Sequence, residues 1–271
     1  METNLNRGRQ QRQRGFTLME MIAVMAILAI LSAVLAPSLI DGIDRAYAAA
    51  EQESLEQLAE DLTRYVRTTG RIPDRSAASW STAIASVSAT PTADVLSNRR
   101  GHQRFVYLDP AFLSASGSAF NGYTQTTGLT SAPNSPRVML ISNLKGNVPN
   151  QPNTAARFNE IWNQVPGASL EESNDLKIVR LNWSGLFHRV LMANGTPVLP
   201  GYSLNSQAQS PVAAASGASD GLALRYVIDG TQLQLFAGPY PSGSLNSAQI
   251  VTGDTSLRYN AVGTLNIWDT L

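Results

Sequence analysis

The residues whose spacing could do chemistry stand together near the start of the chain: Gly15, Phe16 and Glu20, within Arg14-Gly15-Phe16-Thr17-Leu18-Met19-Glu20. Glu20 is the only ionisable side chain between Phe16 and Ile40, so one carboxylate sits in an apolar segment. On insertion scales such a group costs about 2.5–3.5 kcal/mol in a membrane helix, and it needs a named partner. Gly15 is small and ends the basic, polar leader Met1–Arg14. Cutting the chain after Gly15 would create an amine on Phe16, four residues before Glu20. That spacing places both charges on one helix face. They can neutralise each other, or each can meet its opposite on an adjacent chain. The plain alternative is an uncut anchor with a protonated Glu20 near the interface.

Other constellations fail on context. Gly217-Ala218-Ser219-Asp220-Gly221 matches the G-x-S-x-G pattern. A nucleophile elbow needs a strand before it and a helix after it, whereas here a Ser/Ala-rich loop precedes and a strand follows. His102 and His188 are the only histidines and are too far apart for a standard metal spacing. Asp229, Asp254 and Asp269 are scattered, without the spaced oxygen ligands of a calcium loop. The basic cluster Asn98-Arg99-Arg100-Gly101-His102-Gln103-Arg104 could touch phosphate or be a solvated loop. No Walker loop or dinucleotide fingerprint is present. The expectation is therefore no catalytic residue, no metal, no cofactor and no enzyme.

The elements that must position Glu20 follow from the apolar run. A helix from Phe16 to Ala36 spans roughly 30 Å, the thickness of a bilayer core. Arg7, Arg9, Arg12 and Arg14 against Glu2 place the N-terminus in the cytoplasm and the body across the membrane. A rival is an ordinary secretory signal peptide cut after Ala36, but Pro37 would follow the cut and Glu20 would interrupt the apolar region. Pro37, lacking an N–H, predicts a bend or loosening of the helix, with Gly42 adding freedom. Beyond it, Tyr47, Ala50, Ser54, Leu55, Leu58, Leu62, Tyr65 and Val66 recur at helical spacing, with Glu51, Glu53, Glu56, Glu60 and Arg64 largely off that stripe. Arg67 falls in the last turn and Gly70 at the C-cap.

The remaining sequence predicts a head of short helices and strands. Ser76 caps one helix with Trp80, Ile84 and Val87 inward; Asn153 caps another with Phe158, Ile161, Trp162 and Val165 inward. Strands are expected at Arg104–Leu108, Arg137–Ser142 and Leu176–Trp183. Asn194-Gly195 predicts a hairpin between Val190–Ala193 and Thr196–Leu199, and Asp229-Gly230 another between Leu222–Ile228 and Thr231–Phe236. Ser256–Asn260 and Thr264–Trp268 form a last pair around Gly263. Ser114–Pro136 and Ser203–Asp220 read as long surface loops. Trp80, Trp162, Trp183 and Trp268 read as core anchors. Together these give an α+β fold, an antiparallel sheet head with helices on one side.

Composition narrows the partners. The 271 residues carry 20 basic and 20 acidic side chains; removing Met1–Gly15 takes four Arg and one Glu, leaving 16 against 19. That weakly acidic body argues against non-specific nucleic-acid binding. There is no Cys, which excludes disulfides and thiolate metal sites.

Gly15-Phe16-Thr17-Leu18-Met19-Glu20, with the basic leader and the long apolar helix, resembles the prepilin signature of type IV pilins and type II secretion pseudopilins. Pro37 falls where many members carry a helix-bending proline. The resemblance covers Met1 to about Gly70. It implies a pilin-like fold, with residues 1–15 a cleaved leader, 16–69 a transmembrane and amphipathic helix, and 70–271 a β-rich head. It also implies that prepilin peptidase cuts between Gly15 and Phe16 and methylates the Phe16 amine, and that Glu20 docks the subunit by facing that amine. Expected partners are the peptidase, other pilin or pseudopilin subunits, the inner membrane and assembly platform proteins. The precursor would sit in the bacterial inner membrane with its head periplasmic, then enter a pilus or pseudopilus. Some major pseudopilins bind calcium through C-terminal acids, and many pilins close a C-terminal disulfide that this chain lacks. The large head and long loops favour a minor or specialised subunit. The alternatives are a secreted or membrane-anchored binding module with an adhesive or DNA-contacting head, and a membrane-anchored enzyme.

Overall fold

A computed structural model describes residues 17–114, 117, 119–148, 151–165, 172–216, 219–262 and 265–271. The leader, Gly15 and Phe16 lie outside the described residues, as do Gly217, Ala218, Gly263 and Thr264. The first element is helix α1, Leu18–Thr69, which is continuous through Pro37. Pro37 cannot bond to the carbonyl one turn back, and beside it the Ser38 hydroxyl donates to Leu35 O at 2.9 Å. Gly70 ends the helix at φ +64°, its N–H reaching Val66 O at 2.9 Å, a left-handed closure that glycine adopts without a Cβ penalty.

Two compact units are formed, one up to Ala46 and one from Tyr47 to Leu271. In the first, the apolar side chains of α1 are exposed throughout, from Leu18 at 80 % to Ile40 at 57 %. Exposed apolar surface on this scale marks a surface meant to be covered. The helix is long and apolar enough to cross a membrane.

In the second unit, the rest of α1 buries Ala48, Leu55, Leu58, Ala59, Leu62 and Val66; of the expected stripe Leu55, Leu58, Leu62 and Val66 are buried, while Ala50, Ser54 and Tyr65 are half-buried and Tyr47 is exposed. Glu51 and Asp61 are buried with them. Glu51 was expected off the stripe; an opposing cation draws it inward, as described below. After α1 come α2 (Ala77–Val87), α3 (Thr92–Leu96), β1 (Arg104–Leu108), β2 (Arg137–Asn143), α4 (Ala155–Trp162) and β3 (Leu176–Asn182). Ser76 caps α2 as expected, accepting from Ser79 N, with Trp80 and Ile84 buried. The cap of α4 is Thr154, one residue beyond the expected Asn153, because its hydroxyl reaches Arg157 N. Val165 lies past the end of α4 and is 43 % exposed, so it takes no part in the core.

Strands β1, β2 and β3 form an antiparallel sheet in that order. Its period-two pattern serves two cores. Val106, Val138 and Leu140 pack with Leu55, Leu62 and Val66 of α1, while Met139, Ile141 and Ile178 pack with Phe158 and Ile161 of α4. The expectation of helices on one side is thus corrected: both faces of this sheet are covered, which is why β2 reads as an unbroken apolar run.

The remaining strands are β4 (Phe187–Asn194), β5 (Gly201–Leu204), β6 (Ser210–Pro211), β7 (Gly221–Ile228), β8 (Gln232–Ala237), β9 (Ser244–Ile250), β10 (Thr255–Val262) and β11 (Leu265–Thr270). They make two further sheets, ordered β11-β10-β4-β7 and β6-β5-β8-β9. Val190, Tyr202, Leu233, Tyr259 and Trp268 from the two sheets share one core. Both expected internal hairpins are absent. Residues 196–199 form no strand, and β4 pairs instead with β7 and, in parallel, with β10. The turn at Asp229-Gly230 joins β7 to β8, but these lie in different sheets. A tight turn reverses the chain without dictating the strand's partner. The last pair is found as expected, β10 against β11 antiparallel.

Of the expected loops, 114–136 holds no named strand among its described residues, yet it is pinned: Phe120 is 1 % exposed and Gln125 accepts from Ile228 N at 2.8 Å. The second, Ser203–Asp220, is partly structured, because Ser203 and Leu204 belong to β5 and Val212 is fully buried. Trp80, Trp183 and Trp268 are buried anchors, while Trp162 is only partly buried.

Candidate functional site: the first turn of the N-terminal helix

Glu20 sits in the first turn of α1 and is tied to the residue before the helix. Thr17 N and the Thr17 hydroxyl each donate to Glu20 Oε2 at 2.9 Å. In return Glu20 N donates to Thr17 Oγ1 at 3.3 Å, and Met21 N bonds Thr17 O at 3.1 Å. This reciprocal arrangement is a capping box, in which an N-cap Thr and a Glu three residues on satisfy each other's orphan donors. The sequence signal for it is Thr17-Leu18-Met19-Glu20, the Thr-x-x-Glu spacing of a capping box. Oε2 takes both bonds; among the described residues Oε1 has no partner. The site therefore offers one carboxylate oxygen beside the helix N-terminus, where the backbone dipole also favours negative charge. Further along, Arg45 Nε donates to Asp41 O at 3.2 Å, placing mixed charge at the end of the apolar stretch.

The other sequence candidates are spread apart by the fold. Asp229 accepts from Arg67 Nε at 2.9 Å and lies 3.2 Å from His188 Nε2. Asp254 accepts from Arg189 N at 2.8 Å, and Asp269 is exposed on β11. Among the described residues no group of three or more His, Asp or Glu could hold a metal ion. Ser219 stands just before β7, with the strand on the side where an elbow would need a helix.

The basic cluster is dismantled by folding. Arg104 is buried and forks onto Glu51, with contacts of 2.7 and 2.8 Å, and also reaches Val95 O at 3.2 Å. Asn98 is buried too, its amide bonded to Ser142 Oγ and Asn143 O, while its carbonyl oxygen accepts from Arg100 N and His102 N. The Arg100 guanidinium lies 5.1 Å from the Tyr47 ring centre. Arg99 stays exposed, so the cluster is only in part a solvated loop. Its turn anchors α1 to β1.

A helix of membrane-spanning length with a lone, capped carboxylate in its first turn defines a class of N-terminally anchored protein. Residues 10–36 match the family described as the prokaryotic N-terminal methylation motif. The chain thus carries the prepilin-type cleavage and methylation segment of type IV pilins and pseudopilins, and its long apolar helix fits a membrane-anchored precursor of that type. The match spans roughly a tenth of the chain and ends before the head. No curated protein and no solved structure matches the chain.

Proposed function

We propose that this chain is a structural subunit, minor or specialised, of a type IV pilus or a type II secretion pseudopilus. Prepilin peptidase removes Met1–Gly15 and methylates the new amine on Phe16. The head, residues 70–271, is carried across the inner membrane, and the subunit joins other pilin-like subunits through its N-terminal helix with the help of platform proteins. It performs no catalysis of its own.

One observation carries this reading: a single carboxylate, in the first turn of an apolar helix, within a methylation motif that includes Gly15 and Phe16. Leaving that charge alone in lipid is costly. An amine on Phe16, or on Phe16 of a neighbouring copy, supplies the missing counter-charge, and Glu20 Oε1 is the oxygen open to it. Pro37 allows the helix to adjust as it packs among others.

Mass spectrometry of the protein from its native host tests the proposal. The expected mature chain begins at methylated Phe16, and Gly15→Glu leaves the leader attached. A mature chain that starts at Pro37, or one that retains Met1–Gly15 in the assembled state, overturns it.

A further inference from the structure

The head contains a cavity of mixed aromatic and polar lining. It measures about 360 Å³ and lies along the outer edge of β1, between the start of α2 and the segment before α4. Asp109 N donates to Arg137 O at 2.9 Å, so residues 105 and 107 bond inward to β2. Alternation along an antiparallel strand then turns the N–H and C=O of Val106 toward the open edge, where the cavity lies. Phe105 and Tyr107 stack with ring centres 6.1 Å apart. Tyr107 is 5 % exposed and lines the cavity, and its buried hydroxyl has no hydrogen-bond partner among the described residues. Buried hydroxyls are rarely left so, and each such case asks for an occupant.

Ala77, Trp80 and Phe105 line it with Tyr107, and the exposed side chains Gln103, Gln151, Asn153 and Arg75 stand at its mouth. Arg75 reaches Asn153 Oδ1 at 3.3 Å and is the only charged side chain lining the cavity among the described residues. Burial pushes the Tyr107 hydroxyl up to about 12 although the Arg75 charge acts the other way, so the phenol stays a neutral donor. A phosphate would find one cation only, and the nearby first turn of α2 is already capped by Ser76. Amide side chains, which both donate and accept, match the hydroxyls of a sugar ring. An aromatic surface matches its C–H face, and one guanidinium matches one carboxylate. The volume falls in the range of small-ligand sites.

We propose that this cavity binds a sugar acid, a pyranose bearing a carboxylate, with Arg75 on the carboxylate and Tyr107 donating to a ring substituent. The inference is independent of the filament reading, since N-terminal processing is unaffected by its failure.

The test uses the full chain in detergent micelles, titrated calorimetrically with glucuronate, and with glucose and acetate as controls. Saturable glucuronate binding is expected, about tenfold tighter than either control. Arg75→Gln should weaken it by about tenfold. Tyr107→Phe should weaken it severalfold while the melting temperature is unchanged, because the hydroxyl removed holds no native bond. An oligogalacturonate arm separates sources: tighter binding than glucuronate means a polymer chain, equal binding a free sugar acid. Absence of saturable glucuronate binding, equal binding of acetate, or wild-type affinity in both variants overturns the proposal.

Discussion

At the scale of single residues, Glu20 has two roles that a substitution can separate. As half of a capping box it satisfies donors at the start of α1, a role a neutral amide can partly fill. In the proposed assembly it also answers, as a charge, the amine of a processed Phe16, which an amide could not do. Glu20→Gln is therefore expected to be processed normally yet fail to enter filaments, as Glu20→Ala would. Wild-type incorporation of Glu20→Gln, read from purified filaments, would show that the charge is dispensable. Glu51 makes a second residue-scale case. Its side chain and that of Arg104 are 1 % and 5 % exposed. Removing one member of such a pair leaves a buried charge unanswered, at about 3–5 kcal/mol. Glu51→Ala should lower the urea stability of the head by about that amount, whereas Glu51→Leu combined with Arg104→Met should recover most of it.

At the scale of elements, β7 shows how close packing replaces turn chemistry as the organising constraint. A Cβ built on Gly221 would overlap the Ala213 carbonyl, so the segment leading into β7 lies directly against the strand's first residue. Gly221→Ala must push that backbone away, an overpacking cost of about 1–3 kcal/mol. A lowered melting temperature with an unchanged sheet signature by circular dichroism is the expected result. The same scale explains the two failed hairpins. Asn194 instead ends β4 and Gly195 does not take up positive φ, whereas Gly230 turns the chain at φ +83°. The strands they release are then claimed by partners far away in sequence, β4 by β10 and β8 by β5.

For the whole molecule, two of the three cores make the head's stability sensitive to alkali, through Tyr107 and Tyr123. Burial pushes the phenols of Tyr107 and Tyr123 up to about 12, from an ordinary value of 10.0. A raised phenol favours the protonated form in the folded state, so its contribution is full below pH 10 and is lost as pH climbs toward 12. Denaturation midpoints should fall across that interval, together with late-titrating tyrosine absorbance. An ordinary tyrosine titration centred near 10 in the folded protein would contradict this. On the acid side, the Ser76 hydroxyl and N–H hold the Asp74 carboxyl below its usual range, so that smaller contribution disappears as pH falls through it.

What the sequence determined by itself is local. The apolar run, the isolated Glu20, the Gly15–Phe16 junction, the Ser76 cap and the Gly70 stop depend on neighbours within a turn or two, and composition and spacing express them directly. The Thr17–Glu20 box was equally local and lay in plain view. Tertiary structure alone decided the rest. Nothing near Glu51 announces that Arg104, 53 positions on, will draw it into the core. Nothing near β5 says that a polar-looking stretch becomes a buried strand beside β8. Strand pairing and buried charge pairs are settled by which surfaces meet after collapse, at sequence separations where periodicity carries no signal, and the cavity beside Tyr107 exists only because three such segments converge.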